Sequence, residues 1–336
     1  MILKSSILNL QSTDFEKKAI EIFADQAQNN LVYQQYLKLL KVDPKKVRSI
    51  SQIPFLPIGL FKSHRVINGS QRPKITFTSS GTTGSTTSQH HVIDPDFYLE
   101  VTRKGFNSFY GALENYCILA LLPAYLERRG SSLVYMVDNF IRRSKYPESG
   151  FYLNNLDALS NQLKDNQANQ IPTLLIGVSF ALLDLAEQFP QDLSRIILME
   201  TGGMKGRRKE ITRDELHHQL KKAFTVPNVH SEYGMTELLS QAYSKGGGWF
   251  KGSPTFRVLA REITDPFAYV PAGRTGLLNI VDLANVDSCS FLATDDLGQI
   301  RPDGSFKVIG RLDDSDIRGC NLMVNDGIQM KKDKSD

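Results

Sequence analysis

Apolar residues first recur at helical intervals: Phe15, Ala19, Ile22, Phe23 and Ala27 follow Thr13-Asp14-Phe15-Glu16, which has capping-box spacing. The pattern predicts a helix from about Asp14 to Leu40, broken near Asn29-Asn30. Pro44, Pro54 and Pro57 punctuate the next section, and each disfavours helix before it. Ile53-Pro54-Phe55-Leu56-Pro57 is therefore expected as an extended arm. Lys74 to Phe77 reads as a short strand. Further on, Asn115 to Leu122, Ile171 to Gly177 and Ser194 to Met199 read as buried strands, while Leu153 to Leu163, Phe180 to Phe189 and Arg207 to Phe224 are amphipathic. This alternation predicts an α/β fold with helices packed on a largely parallel sheet. From Phe250 the pattern changes to short strands, Phe256 to Leu259, Gly276 to Leu283, Ser290 to Thr294 and Phe306 to Ile309. The turns Pro271-Ala272-Gly273 and Pro302-Asp303-Gly304 separate them, so a β-rich subdomain is expected over about 250–310. The polar end, Met330 to Asp336, is expected to fray.

Composition narrows the class. The 336 residues suit one large or two ordinary domains, and 41% hydrophobic content supports a substantial core. The net charge of +4 is interspersed, and Arg207-Arg208-Lys209 and Lys331-Lys332 are short runs. They read as solvated faces, with no footprint for nucleic acid. The best apolar run, Cys117 to Leu122, stops at Pro123 and is too short to span a membrane. The first residues lack the regions of a signal peptide, and three unevenly spaced cysteines form neither a disulfide framework nor a zinc site. A cytoplasmic, reduced protein is expected.

The candidate chemistry begins at Thr76-Phe77-Thr78-Ser79-Ser80-Gly81-Thr82-Thr83-Gly84-Ser85-Thr86-Thr87-Ser88. Seven of the nine residues from Ser80 to Ser88 bear hydroxyls and the other two are glycines. Hydroxyls and open backbone N–H groups are the donors that a polyphosphate needs, and glycine lets the backbone approach. The P-loop of kinases is excluded, because Gly81 and Gly84 stand too close and no lysine follows until Lys104. Such a run also serves as a flexible linker; the rest of the chain gives it context. Glu200-Thr201-Gly202-Gly203 follows a buried strand, and a Gly-Gly turn there lets a purine lie against the backbone. Ser231-Glu232-Tyr233-Gly234-Met235-Thr236-Glu237 comes next: Tyr233 would stack on the base, and Thr236 and Glu237 would meet a phosphate and its Mg²⁺. In Ala293-Thr294-Asp295-Asp296-Leu297-Gly298 and Ile309-Gly310-Arg311-Leu312-Asp313-Asp314, the Asp296 carboxylate and Arg311 guanidinium would hold the ribose hydroxyls. Taken singly, these motifs read equally as turns, strand ends and a surface loop.

In this order the five features resemble the adenylate-forming superfamily of acyl-CoA synthetases, peptide-synthetase adenylation domains and firefly luciferase. Thr78-Ser79-Ser80-Gly81-Thr82-Thr83-Gly84 is similar to its phosphate loop, and Tyr233-Gly234-Met235-Thr236-Glu237 to its Y-G-x-T-E motif. Thr294-Asp295-Asp296 resembles the ribose-binding S/T-G-D with Asp295 in place of glycine, and Gly310-Arg311-Leu312-Asp313-Asp314 resembles the hinge motif. The shortened form, with Leu56-Pro57-Ile58-Gly59-Leu60-Phe61-Lys62 and Tyr125-Leu126-Glu127-Arg128-Arg129-Gly130-Ser131-Ser132, resembles the acyl-protein synthetases of the LuxE family.

The resemblance implies an adenylate-forming large-domain fold over residues 1–310 that binds ATP and Mg²⁺, and a mobile lid domain carrying a catalytic lysine in full members. This chain stops about twenty residues after Asp314, so 311–336 is expected as a short tail with the lid truncated. It implies activation of a fatty or other carboxylic acid as acyl-AMP, then transfer to an enzyme thiol and on to a partner protein, a reductase or carrier. Cys117 and Cys289 read as core residues; the resemblance implies an acyl-accepting cysteine near the C-terminus, and Cys320 is the position that fits it. Arg318 would lower its pKa, and nine residues from Arg311 reach up to about 30 Å. Lys205, or alternatively Arg207, is the candidate to replace the lid lysine. Two other outcomes stay open: an acyl-CoA or acyl-carrier-protein ligase, and a nucleotide-binding scaffold without catalysis.

Overall fold

Among the described residues, the strands fall into three sheets. In a computed structural model that describes residues 2–79, 86–122, 130–153, 155–202, 208 and 211–312, they are, in chain order, β1 (Leu56–Pro57), β2 (Ile75–Thr78), β3 (Gln89–Val92), β4 (Cys117–Leu121), β5 (Gly150–Phe151), β6 (Thr173–Val178) and β7 (Ile197–Thr201). There follow β8 (Val229–Tyr233), β9 (Ala242–Ser244), β10 (Lys251–Gly252), β11 (Phe256–Arg261), β12 (Thr275–Asp282), β13 (Phe291–Ile300) and β14 (Phe306–Arg311).

The central sheet has seven strands in the order β10-β9-β8-β7-β6-β4-β5. Neighbours from β5 to β8 run parallel, while β9 and β10 are antiparallel. Parallel strands need long crossovers. Helices Ser132–Arg143, Leu156–Ala168, Ser179–Gln188 and Arg213–Phe224 supply one to each connection. Every residue of β4 and β6 is buried, as expected for strands covered on both faces. The predicted alternation is thus realised, with later starts for two helices. Asn155 and Thr212 cap them by accepting from the N–H groups of Ala158 and Glu215, so these helices begin at Leu156 and Arg213 instead of Leu153 and Arg207.

The second sheet runs β1-β13-β12-β11, with β14 also on β13. It departs from expectation twice. The β-rich region is not made from residues 250–310 alone, because Leu56-Pro57 of the extended arm joins β13 as a parallel edge strand. An edge is where a proline without N–H is tolerated. Asp295-Asp296-Leu297-Gly298, open to reading as a turn, lies inside the ten-residue β13. Gly298 marks a register shift: a side chain there would meet Lys307 O at 2.4 Å.

The predicted break in the first helix fixes the N-terminal region to this sheet. Helices Phe15–Asn29 and Leu31–Leu39 meet at Asn30, whose Oδ1 accepts from Tyr33 N and whose amide donates to Ser288 O at 2.9 Å. Gln26 accepts from Ser290 N at 3.0 Å and donates to Asn285 O. The rings of Phe23, Tyr33 and Phe55 close on Phe291. The third sheet is the β2–β3 hairpin, Thr78 opposite Gln89 and Phe77 opposite His90. Among the described residues, no helix is long and apolar enough to cross a membrane.

Candidate active site

The parallel strands end side by side, and their ends carry the motifs. Val178, Thr201 and Glu232 are register partners across β6, β7 and β8. Ser179 Oγ, at the start of the helix after β6, donates to Gly202 O, just past β7, at 3.1 Å. Gly202 has φ +70°, the left-handed region that the expected glycine turn needs.

Thr201 and Glu232 form a buried pair, Thr201 Oγ1 donating to Glu232 Oε2 at 2.5 Å. The other oxygen, Oε1, lies 2.7 Å from where a Cβ on Gly234 would stand. Any side chain at Gly234 would therefore strike the carboxyl. Burial pushes the Glu232 carboxyl up to about 7, opposed by the Thr201 hydrogen bond and helped by the nearby Glu200 carboxylate. Between the ordinary glutamate value and about 7, the folded protein holds a proton that the unfolded chain releases, so stability falls as pH rises through that window. Ionisation there costs the fold on the order of 3 kcal/mol. Glu232→Gln is expected to match the wild type near pH 5 and to exceed it by up to about that amount near pH 8, read from urea midpoints. Equal midpoints at the higher pH would show that Glu232 ionises without cost.

Tyr233 turns the other way. Its hydroxyl donates to Asp296 Oδ2 at 2.8 Å, and its ring packs on Phe250, Phe256 and Phe306. Asp296 is the register partner of Arg311 across β13 and β14, with Arg311 Nε 4.0 Å from its Oδ1. Burial raises the Asp296 carboxyl above the usual carboxylate range, against the Tyr233 hydrogen bond and the Arg311 charge. Arg311 itself is exposed and also faces Asp295 at 3.9 Å. Tyr233, Asp296 and Arg311, drawn from two sheets and far apart in sequence, thus form one contiguous group.

Beyond β8 the chain turns, Leu238 N donating to Met235 O. Glu237 on this turn is 7% exposed. Burial raises its carboxyl, while a hydrogen bond from Ser88 and the charges of Arg311 and Lys62 act in the opposite sense. Ser88 is at the base of the hydroxyl-rich loop. That base is closed by Ser79 N to Ser88 O at 3.1 Å and Ser88 N to Ser79 Oγ at 2.9 Å, and Thr78 N donates to Gly130 O. Two further contacts reach the turn. His90 Nδ1 donates to Thr236 O at 2.8 Å, and Asn285 Nδ2 donates to Glu237 O at 2.7 Å.

Of the candidate residues, the fold gathers Thr78 and Ser79 with Thr236 and Glu237 through the hairpin, groups Asp296 and Arg311 with Tyr233, and sets Thr201 and Gly234 against Glu232 on the other side, with Gly202 held by Ser179. Ser80, Gly81, Thr82, Thr83, Gly84, Gly203, Lys205, the alternative Arg207 and Cys320 lie outside the described residues. Arg208, in the short basic run, is bound to Asp184 and Glu187. Cys117 and Cys289 are fully buried, as expected, and burial raises both thiols. Among the described residues, no three His, Cys, Asp or Glu side chains cluster to hold a metal by themselves. Sequence reasoning missed His90, Asn285 and the acidic neighbour Glu232.

Comparison with known proteins gives a family match and a fold. The family model described as acyl-protein synthetase, LuxE, matches residues 161–329. No curated protein sequence matches the chain. Among solved structures it is similar to 2-hydroxyisobutyryl-CoA ligase in the postadenylation state with 2-HIB-AMP, with TM-score 0.66, 12% identity, and coverage of 93% of this chain and 68% of that one. ATP-bound MatB from Rhodopseudomonas palustris matches with TM-score 0.53 and 14% identity over 70% of this chain and 47% of its own. The long-chain-fatty-acid-CoA ligase FadD1 from Archaeoglobus fulgidus gives TM-score 0.51 and 15% identity over 70% and 51%. At such identities the likeness shows the fold alone, the α/β large-domain fold of these ligases, and the chain spans about half the length of MatB.

Proposed function

Because this chain belongs to the acyl-protein synthetase (LuxE) family, we propose that it activates a carboxylic acid, a fatty acid foremost, with ATP and passes the acyl group to a thiol. The observation that carries this reading is the meeting of the phosphate-loop hairpin with the Thr236–Glu237 turn, through the hydrogen bond from His90 to Thr236 O with Ser88 facing Glu237, beside the Tyr233–Asp296–Arg311 group. A nucleotide lying across these strand ends would place its phosphates at Thr78 to Gly84, its base near Thr201, Gly202, Gly203 and Tyr233, and its ribose at Asp296 and Arg311.

In the first step a carboxylate oxygen bonds to the α-phosphorus, the bond to the bridging oxygen breaks, and pyrophosphate leaves. Mg²⁺ supplies positive charge to the phosphates when bound. The residues present fit it: Mg²⁺ takes one or two carboxylates together with substrate phosphates, and Glu237 presents a carboxylate beside the phosphate loop. Thr236 sits beside Glu237 to meet a phosphate, and Lys205 or Arg207 supplies further positive charge. Buried donors and cations held in place before reaction favour the anionic centre that develops. In the second step the Cys320 thiolate bonds to the acyl carbon and AMP leaves with the electron pair. The acyl group then moves to a partner protein, a reductase or carrier. The ligases among the similar structures favour a second reading, in which a soluble thiol such as CoA takes the acyl group directly.

Incubation with ATP, Mg²⁺ and radiolabelled fatty acids, followed by a denaturing gel, separates these. A labelled band that vanishes in Cys320→Ser, with pyrophosphate still released by both proteins, is the expected result. Pyrophosphate release without a labelled band points to the soluble thiol. Neither signal, with ATP still bound, overturns the enzymatic reading and leaves a nucleotide-binding scaffold.

A further inference from the structure

The phosphate-loop hairpin does more than carry the loop. It reaches the Thr236–Glu237 turn at two points: Ser88, just before its second strand β3, favours the charged form of the Glu237 carboxyl, and His90 Nδ1, on β3, donates to the Thr236 carbonyl at 2.8 Å. On the far side of the ring, His90 Nε2 lies 3.1 Å from Asn285 Oδ1, and the Asn285 amide nitrogen donates to the Glu237 carbonyl at 2.7 Å. Two successive main-chain carbonyls of one turn are thus taken up by side chains from segments remote in sequence. The neighbours of these side chains hold them still. His90 is 1% exposed and stands edge-on to Phe61, with ring centroids 5.7 Å apart. Asn285 is 1% exposed, its own carbonyl takes Gln26 Nε2 at 3.0 Å, and its N–H donates to Asp282 O.

We propose that Ser88, His90 and Asn285 are positioning residues that tie the β2–β3 hairpin to the Thr236–Glu237 turn, fixing where the carboxylate of the metal ligand Glu237 stands. The inference rests on the reading of Glu237 given above. A two-residue segment pinned at both carbonyls cannot rotate its peptide planes, so the Glu237 side chain leaves the backbone in one direction. His90 and Asn285 reach the turn from two separate segments, so the β2–β3 hairpin and the Asn285 segment together set that direction. Neighbours that orient a ligand are typically worth about ten- to a hundredfold in metal affinity or activity.

The test measures the Mg²⁺ requirement of the full chain in two ways, by acid-dependent ATP–pyrophosphate exchange and by calorimetric titration of Mg²⁺ with ATP present and no acid, for the wild type, His90→Leu, His90→Asn and Ser88→Ala. Leucine keeps bulk and removes the donor; asparagine restores an N–H near the Nδ1 position. His90→Leu is expected to raise the Mg²⁺ requirement about tenfold with the KM for the acid unchanged, and His90→Asn to recover most of that. Ser88→Ala, a smaller change that keeps the protein folded, is expected to raise the Mg²⁺ requirement in the same sense. An unchanged Mg²⁺ requirement in Ser88→Ala and His90→Leu, or equal losses in both His90 variants, overturns the positioning role while leaving the proposed function standing. Absence of exchange in the wild type itself overturns the proposed function, and this inference with it.

Discussion

Glu237→Gln is expected to reduce acid-dependent ATP–pyrophosphate exchange by at least about 10²-fold without unfolding the protein. Glutamine matches the size of the side chain and still presents an oxygen to Ser88, so the packing around this 7% exposed residue is retained. It loses the charge. Mg²⁺ is a hard cation that keeps its waters unless an anionic oxygen competes for it, and an amide oxygen competes weakly. Among the described residues no cluster of acids or histidines stands by to replace the carboxylate. Exchange rates and far-ultraviolet circular dichroism of the two proteins check this. A variant within about tenfold of the wild type would place the metal on other oxygens.

The largest expected loss of stability comes from Asp282→Ala. Asp282 ends β12, is 0% exposed, and accepts four hydrogen bonds. They come from Leu239 N at 2.7 Å, Ser240 N at 3.0 Å, Ser240 Oγ at 2.5 Å and Ala284 N at 3.1 Å. Alanine would leave these donors buried and unpaired, at a cost of about 3–5 kcal/mol. The segment it anchors begins two residues after Glu237 and leads into β9, so exchange is expected to fall with stability. Urea unfolding measures the first effect directly. Asp282→Asn keeps one acceptor oxygen and is expected to recover part of the loss. A loss below about 1 kcal/mol in the alanine variant would mean that the segment re-pairs its donors elsewhere.

What was legible in the sequence is what is local. The parallel sheet was readable because β4 is an unbroken apolar run and β6 is one after Thr173, and the helix break was readable because two asparagines interrupt a regular stripe. Tyr233 to Glu237 was readable because its letters are contiguous. The start of the helix at Arg213 was legible too, in Thr212-Arg213-Asp214-Glu215, but the charged residues before it extend the amphipathic pattern and mask the cap. Other features depend on contacts that no short window contains. His90 lies 146 residues from Thr236 and 195 from Asn285, in a strand whose residues carry no recognisable motif. Glu232 sits in a motif read for its neighbours, and only the closeness of Thr201 and Gly234 shows a carboxyl held out of water. Asp295-Asp296-Leu297-Gly298 has the composition of a turn, yet β14 pairs along it and draws it into a strand.

The line from Thr236 O through His90 and Asn285 to Glu237 O has a further property, visible by counting hydrogens. Both ends are carbonyl oxygens, which only accept, and three contacts lie between them. Three contacts need three hydrogens, whereas a neutral imidazole and one carboxamide contribute two. Burial pushes the His90 imidazole down to about 4, so the third hydrogen is missing at neutral pH. With the outer two bonds made, the deficit falls on the middle, where the Nε2 lone pair faces Asn285 Oδ1. The turn is thus gripped firmly from two sides by hands that do not hold each other. The grip on the turn therefore rests on the two outer bonds, one from the hairpin and one from the Asn285 segment, and neither depends on the contact between them.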